Sequence, residues 1–170
     1  EVPAEPITLS AEELQQYAGT YYDSITQVAY TLELKDGKLQ LALDKPFEFV
    51  PLPDHKFQMK ASPLYVIQFK ETQDRLMGRM ILQPDSAANS FDRVVPEPDQ
   101  VRNAEEFAGT YYSPELDVEY RIILKEGKPF VERRKYGITP LKHAFGDSFI
   151  NDQSARTGSP FTMDFHFKRD

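Results

Sequence analysis

At 170 residues the chain has room for one large domain or two small ones. With 40% hydrophobic and 12% aromatic residues, and 13 Pro against only 8 Gly, it has the material for a packed core and excludes both a disordered composition and a fibrous glycine repeat. A net charge of −7 leaves no basic face for a phosphate backbone, the lack of Cys removes disulfides and thiolate metal sites, and no apolar run approaches the ~20 residues of a membrane helix, so neither nucleic acid nor a membrane span is expected.

In chain order, Ser10-Ala11-Glu12-Glu13 spells a capping box, which predicts a short helix before the first strand. Tyr17-Ala18-Gly19-Thr20-Tyr21-Tyr22 follows, and then strict period-two alternation places Tyr30, Leu32 and Leu34 on one face with Thr31, Glu33 and Lys35 on the other. Asp36-Gly37 predicts a hairpin turn, because the turn that matches strand twist needs positive φ, and the alternation resumes at Leu39, Leu41 and Leu43. Further strands are expected over Tyr65 to Phe69 and Leu76 to Leu82, giving about eight in the first half. Pro96-Glu97-Pro98-Asp99 then interrupts pairing and reads as a linker.

Beyond the linker the pattern begins again. Asn103-Ala104-Glu105-Glu106 is a looser helix start, Phe107-Ala108-Gly109-Thr110-Tyr111-Tyr112 matches the first opening, and Glu126-Gly127 matches Asp36-Gly37. Setting residue 17 on 107 and running without a gap to 38 and 128 gives 11 identities in 22 positions, among them Gly19, Tyr21, Gly109 and Tyr111, far above chance. Weaker, gapped echoes pair Pro51-Leu52 with Pro140-Leu141, Phe57 with Phe149, and Phe69-Lys70 with Phe167-Lys168. The expected organisation is two tandem copies of one unit, 1–98 and 99–170, carrying charges of −6 and −1.

An antiparallel sheet of eight twisted strands removes its edges by closing on itself, and its interior is then filled by side chains or by one small ligand. Each copy is therefore expected to form a small barrel. The second ends two residues after Lys168, the match of Lys70, so about two strands are expected to be lacking there, with the open edge covered by the first copy or by another protomer.

Catalytic signatures are lacking in the sequence. No Ser has a Lys one helical turn later, and no nucleophile elbow, phosphate loop or dinucleotide fingerprint occurs. His55, His143 and His166 have no close partner at metal spacing and read as structural, the first two in matching loops of the copies, and no cofactor is expected. Arg133-Arg134-Lys135, the one basic cluster, reads as a solvated edge strand guarded by charge. Tyr30, Leu32, Leu41 and Phe69 are the inward positions that would touch an apolar ligand if the first barrel held one.

The Tyr17-Ala18-Gly19-Thr20-Tyr21 opening, the strand of Tyr30 with Leu34-Lys35-Asp36-Gly37-Lys38-Leu39, the Pro51-Leu52 step and the Phe69 ending together resemble the domain family of unknown function that follows the catalytic domain of serine β-lactamase-like and D-aminopeptidase-like hydrolases. The resemblance spans most of residues 11–95 and, more thinly, 103–168. It implies short lipocalin-like barrels in which Gly19-Thr20-Tyr21 stands where lipocalins carry Gly-x-Trp. It also implies an accessory role without a nucleophile of their own, a serine hydrolase domain or self-association as partner, and a bacterial, periplasmic or secreted setting ahead of a cytoplasmic one. The alternative from the residues is a stand-alone carrier of a small apolar ligand.

Overall fold

The computed structural model describes residues 4–73, 75–83, 89–95, 104–114, 116–134, 137–157 and 163–167, and the linker residues Pro96 to Asp99 lie outside them. The chain divides into two compact units, 1–96 and 97–170.

The first unit opens with helix α1 (Ala11–Gln15), whose capping box is formed: the Glu13 amide donates to Ser10 Oγ at 3.2 Å, and Glu13 Oε2 accepts from the Ser10 amide at 2.7 Å. Eight strands follow as a meander: β1 (Gly19–Asp23), β2 (Val28–Lys35), β3 (Lys38–Leu41), β4 (Phe47–Leu52), β5 (Lys56–Met59), β6 (Val66–Thr72), β7 (Arg75–Leu82) and β8 (Asn89–Val94). Each pairs antiparallel with the next, and β8 returns to β1 with Thr20 opposite Val94, Tyr21 opposite Arg93 and Tyr22 opposite Asp92, which closes the barrel. The Asp36-Gly37 turn has φ of 50° and 73°, the left-handed pair a two-residue hairpin requires.

Alternation decides what goes inside. Leu32, Leu39, Leu41, Phe57, Ile67 and Phe69 are buried in one core with Tyr21, Met80 and Phe91, and Leu14 and Tyr17 add to it from α1 and the segment behind it. The outward positions are polar: Glu48 of β4 meets Lys38 of β3 at 3.0 Å and Lys60, just past β5, at 3.2 Å.

The second unit starts with a 3-10 turn (Ala104–Phe107), and its strands are β9 (Gly109–Ser113), β10 (Val118–Lys125), β11 (Lys128–Arg133), β12 (Gly137–Pro140), β13 (Lys142–Phe145), β14 (Ser148–Asn151) and β15 (Met163–His166), with a short helix α2 (Ser154–Thr157) before the last. They form two sheets, in the orders β12-β11-β10-β9 and β13-β14-β15. The expectation of a barrel in each copy is thus met by one closed barrel and, among the described residues of the second unit, two open sheets. Two features separate the copies: the counterpart of β4 is divided at Leu141 into β12 and β13, and no strand among the described residues pairs with the far side of β9 as β8 pairs with β1. The Glu126-Gly127 turn, with φ of 52° and 74°, repeats the first hairpin.

Two expectations are corrected. His143 lies within β13 opposite Phe149, while His55 sits in the β4–β5 turn at φ 56°, so the two do not occupy matching loops. Arg133 is not on a solvated edge: β11 is an inner strand of its sheet, and Arg133 is buried, donating to Asn151 Oδ1 at 3.2 Å and Thr139 Oγ1 at 3.4 Å. These bonds brace β11 against β12 and β14, whereas Arg134 beside it is exposed. Lys135 lies outside the described residues.

Candidate functional site

The proposed interior contacts of the first barrel are brought together, and packing occupies them. Phe69 sits in a cluster with Tyr17 at 5.0 Å, Tyr21 at 5.4 Å and Phe57 at 5.5 Å, all edge to face, the arrangement ring quadrupoles prefer. Leu32 and Leu41 are buried in the same core, and half-buried Tyr30 rests its ring on Phe91 at 5.3 Å. The Tyr21 hydroxyl donates to the Tyr17 carbonyl at 2.9 Å, and burial pushes its pKa up to about 12.

The second unit contains the same cluster. Phe107, Phe149 and Phe167 stack at 5.0, 5.0 and 5.6 Å, matching Tyr17, Phe57 and Phe69, and Tyr111 reaches Phe167 at 4.9 Å as Tyr21 reaches Phe69. The Tyr111 hydroxyl donates to the Phe107 carbonyl at 2.9 Å, repeating the Tyr21 bond four residues back along the chain. The gapped sequence echoes therefore mark positions that pack alike.

One difference separates the copies. In the first, β8 lies against β1, and Arg93 bonds the carbonyls of Gln16 at 2.9 Å and of Ala18, with its guanidinium 5.9 Å from the Tyr21 ring. In the second, β9 ends its sheet, and no strand among the described residues takes the place of β8. The same Gly-Thr-Tyr-Tyr segment therefore has opposite fates: Tyr21 is 0% exposed, whereas Tyr111 is 36% and Tyr112 61% exposed. Leu116 and Val118 are exposed beside them, and an open groove of about 630 Å³ runs between β9 and β15, floored by Tyr120, Ile122 and Phe165. Its rim is aromatic, with Tyr112 donating to Asp117 Oδ1 at 2.7 Å, a bond to the neutral phenol that raises the Tyr112 pKa. A smaller hollow of about 380 Å³ on the same unit is lined by Phe107, Pro129, Leu141, His143 and Phe149.

The polar groups are engaged in bracing. His55 Nδ1 and the Tyr17 hydroxyl are 2.8 Å apart, His143 Nε2 donates to the Gly146 carbonyl at 2.7 Å, and His166 Nδ1 and Ser148 Oγ are 2.9 Å apart. A buried Ser154 donates from Oγ to Asp152 Oδ1 at 2.7 Å and from its amide at 2.9 Å, while Lys142 reaches Asp152 Oδ2 at 3.4 Å. That carboxylate accepts hydrogen bonds from the hydroxyl and from the first amide of α2, and Ser154 is wholly enclosed, so its hydroxyl is held in the turn that opens the helix and is not presented to solvent. Among the described residues no three His, Cys, Asp or Glu side chains gather as a metal site, and no helix is long and apolar enough to cross a membrane.

Gly19, Tyr21, Gly109 and Tyr111 were legible as repeat markers. Tyr112 was legible as the repeat of Tyr22, whereas Arg93 and Phe165 were not singled out.

Fold and site together define a two-unit antiparallel β-protein, one unit a closed eight-stranded barrel and the other carrying an open aromatic edge. No known family and no curated protein matches the sequence.

Proposed function

We propose that the chain is a non-catalytic accessory and interaction module, of the kind that accompanies serine β-lactamase-like hydrolases, built from two copies of a lipocalin-like unit. The observation that carries this reading is the β9 edge, where Tyr111, Tyr112, Leu116 and Val118 stand exposed around an apolar groove. Contiguous exposed apolar surface of this kind marks interaction sites, and unpaired strand edges are recognition surfaces in their own right. The repeated aromatic clusters support reading the second unit as a copy of the first, open at β9 among the described residues. Against the second reading, a carrier role for the first barrel, stands the burial of Leu32, Leu41 and Phe69 in one apolar core.

The test is kinetic. A serine hydrolase encoded on the same polypeptide or beside it is assayed with and without this chain, and kcat/KM is expected to change severalfold with the hydrolase's own fold intact. Absence of any such hydrolase, or kinetics indifferent to the chain, defeats the reading.

A further inference from the structure

We propose that the hollow beside the 3-10 turn of the second unit binds one small monocarboxylate that carries an aromatic ring, the ring lying against Phe107, Leu141 and Phe149 and the carboxylate meeting Lys128. This goes beyond the accessory reading and does not depend on it, since the site lies within one unit and takes a free small molecule.

The space comes from two smaller side chains. In the first unit Leu14 and Leu39 are buried in the core that also holds Tyr17 and Phe57. The second unit keeps the backbone of this region: the Ala108 amide donates to the Glu105 carbonyl at 3.2 Å as the Ala18 amide donates to Gln15 at 3.3 Å, and Pro129 faces Leu124 in the register in which Leu39 faces Leu34. At the matching positions stand Ala104 and Pro129, and both line the hollow of about 380 Å³. Replacing an isobutyl side chain by a methyl beside Phe107 and Phe149, the counterparts of Tyr17 and Phe57, leaves open the space that the first core fills. That volume lies in the range of small-molecule pockets.

Charge specifies the polar end of the ligand. At the first hairpin Lys35 and Lys38 stand directly opposite each other, and Glu48 of the next strand meets Lys38 at 3.0 Å. At the second hairpin Lys125 and Lys128 are opposed in the same way, but β12, the next strand, reads Gly-Ile-Thr-Pro and supplies no acid. Like charges placed opposite one another destabilise a hairpin, and an anion between them relieves that. Lys125 rests over the Phe130 ring at 5.5 Å, while Lys128 lines the hollow and has no ion pair among the described residues. The other lysine at the rim, Lys142, is already paired with buried Asp152 at 3.4 Å. His143 forms a wall: its ring is set edge to face on Phe149 at 5.3 Å, and Nε2 donates to the Gly146 carbonyl. One ligand carboxylate at Lys128 thus takes the part that Glu48 plays at Lys38. The side chains of Phe107, Leu141 and Phe149 offer no hydrogen bond to a sugar or to a second charge, and aromatic edges and faces suit a ring.

The probe is phenylacetate, titrated into the full chain at neutral pH and followed by amide NMR shifts, with phenylacetamide as the uncharged control of nearly the same shape. Saturable shifts gathered at Ala104, Lys128, Leu141, His143 and Phe149 are expected at millimolar or lower probe, with phenylacetamide bound severalfold more weakly. Added salt is expected to narrow that difference, because the pair with an exposed lysine is screened. Lys128→Gln is expected to bring the acid down to the affinity of the amide and to leave the amide's own binding unchanged. Ala104→Leu restores the side chain of the first unit and is expected to abolish binding of both. The proposal is overturned by any of four results: no saturable shift at millimolar probe, acid and amide bound equally, shifts that gather in the groove between β9 and β15 or in the first barrel, or full binding by Ala104→Leu. Should Ala104→Leu disturb the fold, Lys128→Gln decides alone, and acid binding unchanged in that variant sinks the site.

Discussion

At the residue scale the molecule contains its own control experiment, since Tyr21 and Tyr111 have the same neighbours in sequence and the same hydroxyl bond but different burial. Burial disfavours the phenolate, so the neutral form of Tyr21 persists in the folded barrel to about pH 12, whereas an unfolded tyrosine ionises near 10. Because the folded pKa is raised, the contribution is intact below pH 10 and is lost as pH rises toward 12: unfolding then releases a proton and becomes easier. Tyr21→Phe is expected to cost about 1 kcal/mol at neutral pH for the lost hydroxyl bond and to flatten the stability decline between pH 10 and 12. Tyr111→Phe, at a third exposed, is expected to cost less than half as much. Urea melts of both variants at pH 7 and 11 check this, and equal costs at the two sites would contradict it. The equivalence of the two tyrosines was readable from the repeat. Their unequal burial was not, because it is set by β8, some 70 residues away in the chain and pairing only in the first unit.

At the element scale, local signals were the ones most fully legible. Ser10 and Glu13 form the capping box their spacing announces, and both Asp36-Gly37 and Glu126-Gly127 make the turn their φ preferences dictate. What escaped a reading of the sequence was long-range register: β4 runs unbroken through Pro51-Leu52, while its echo at Pro140-Leu141 parts into β12 and β13, and nothing in those two residues distinguishes the cases. The hydrogen bonds from Ser10 hold the Glu13 carboxyl below the ordinary carboxylate range. A depressed folded pKa means stability present above the unfolded value and lost as pH falls through the folded one. Glu13→Gln is therefore expected to lower stability at pH 7 and progressively less below pH 4.5, as Glu13 protonates in the parent chain too, because the bond that holds the carboxylate most is the one from the Ser10 backbone amide. A thermal-melt series from pH 7 to 3 follows the gap between the two proteins, and a gap that stays constant with pH would remove Glu13 from the explanation.

At the scale of the whole molecule, closure is the property that the two copies do not share. A closed sheet exposes no edge and gathers its apolar face into one interior, and the first unit's core accordingly joins every strand from β1 to β8. The second unit's buried cluster is much smaller, resting on Phe107, Ile122, Val131, Leu141, Phe149 and Phe167, and β9 ends its sheet with aromatic side chains in solvent. Fewer buried apolar contacts and more solvent-facing backbone bonds place a segment at the low end of local stability. Denaturation is consequently expected in two steps, the second unit first, with amides of β9 exchanging at least about tenfold faster than those of β1 before either step. The two segments share Gly-Thr-Tyr-Tyr, so intrinsic chemistry contributes almost nothing to the difference, and any gap in rate reports the pairing that β1 makes with β8 and that β9 lacks among the described residues. A single coincident transition by exchange and by circular dichroism would mean that the open edge carries no energetic cost, and the second unit would then have to be regarded as complete in its open form.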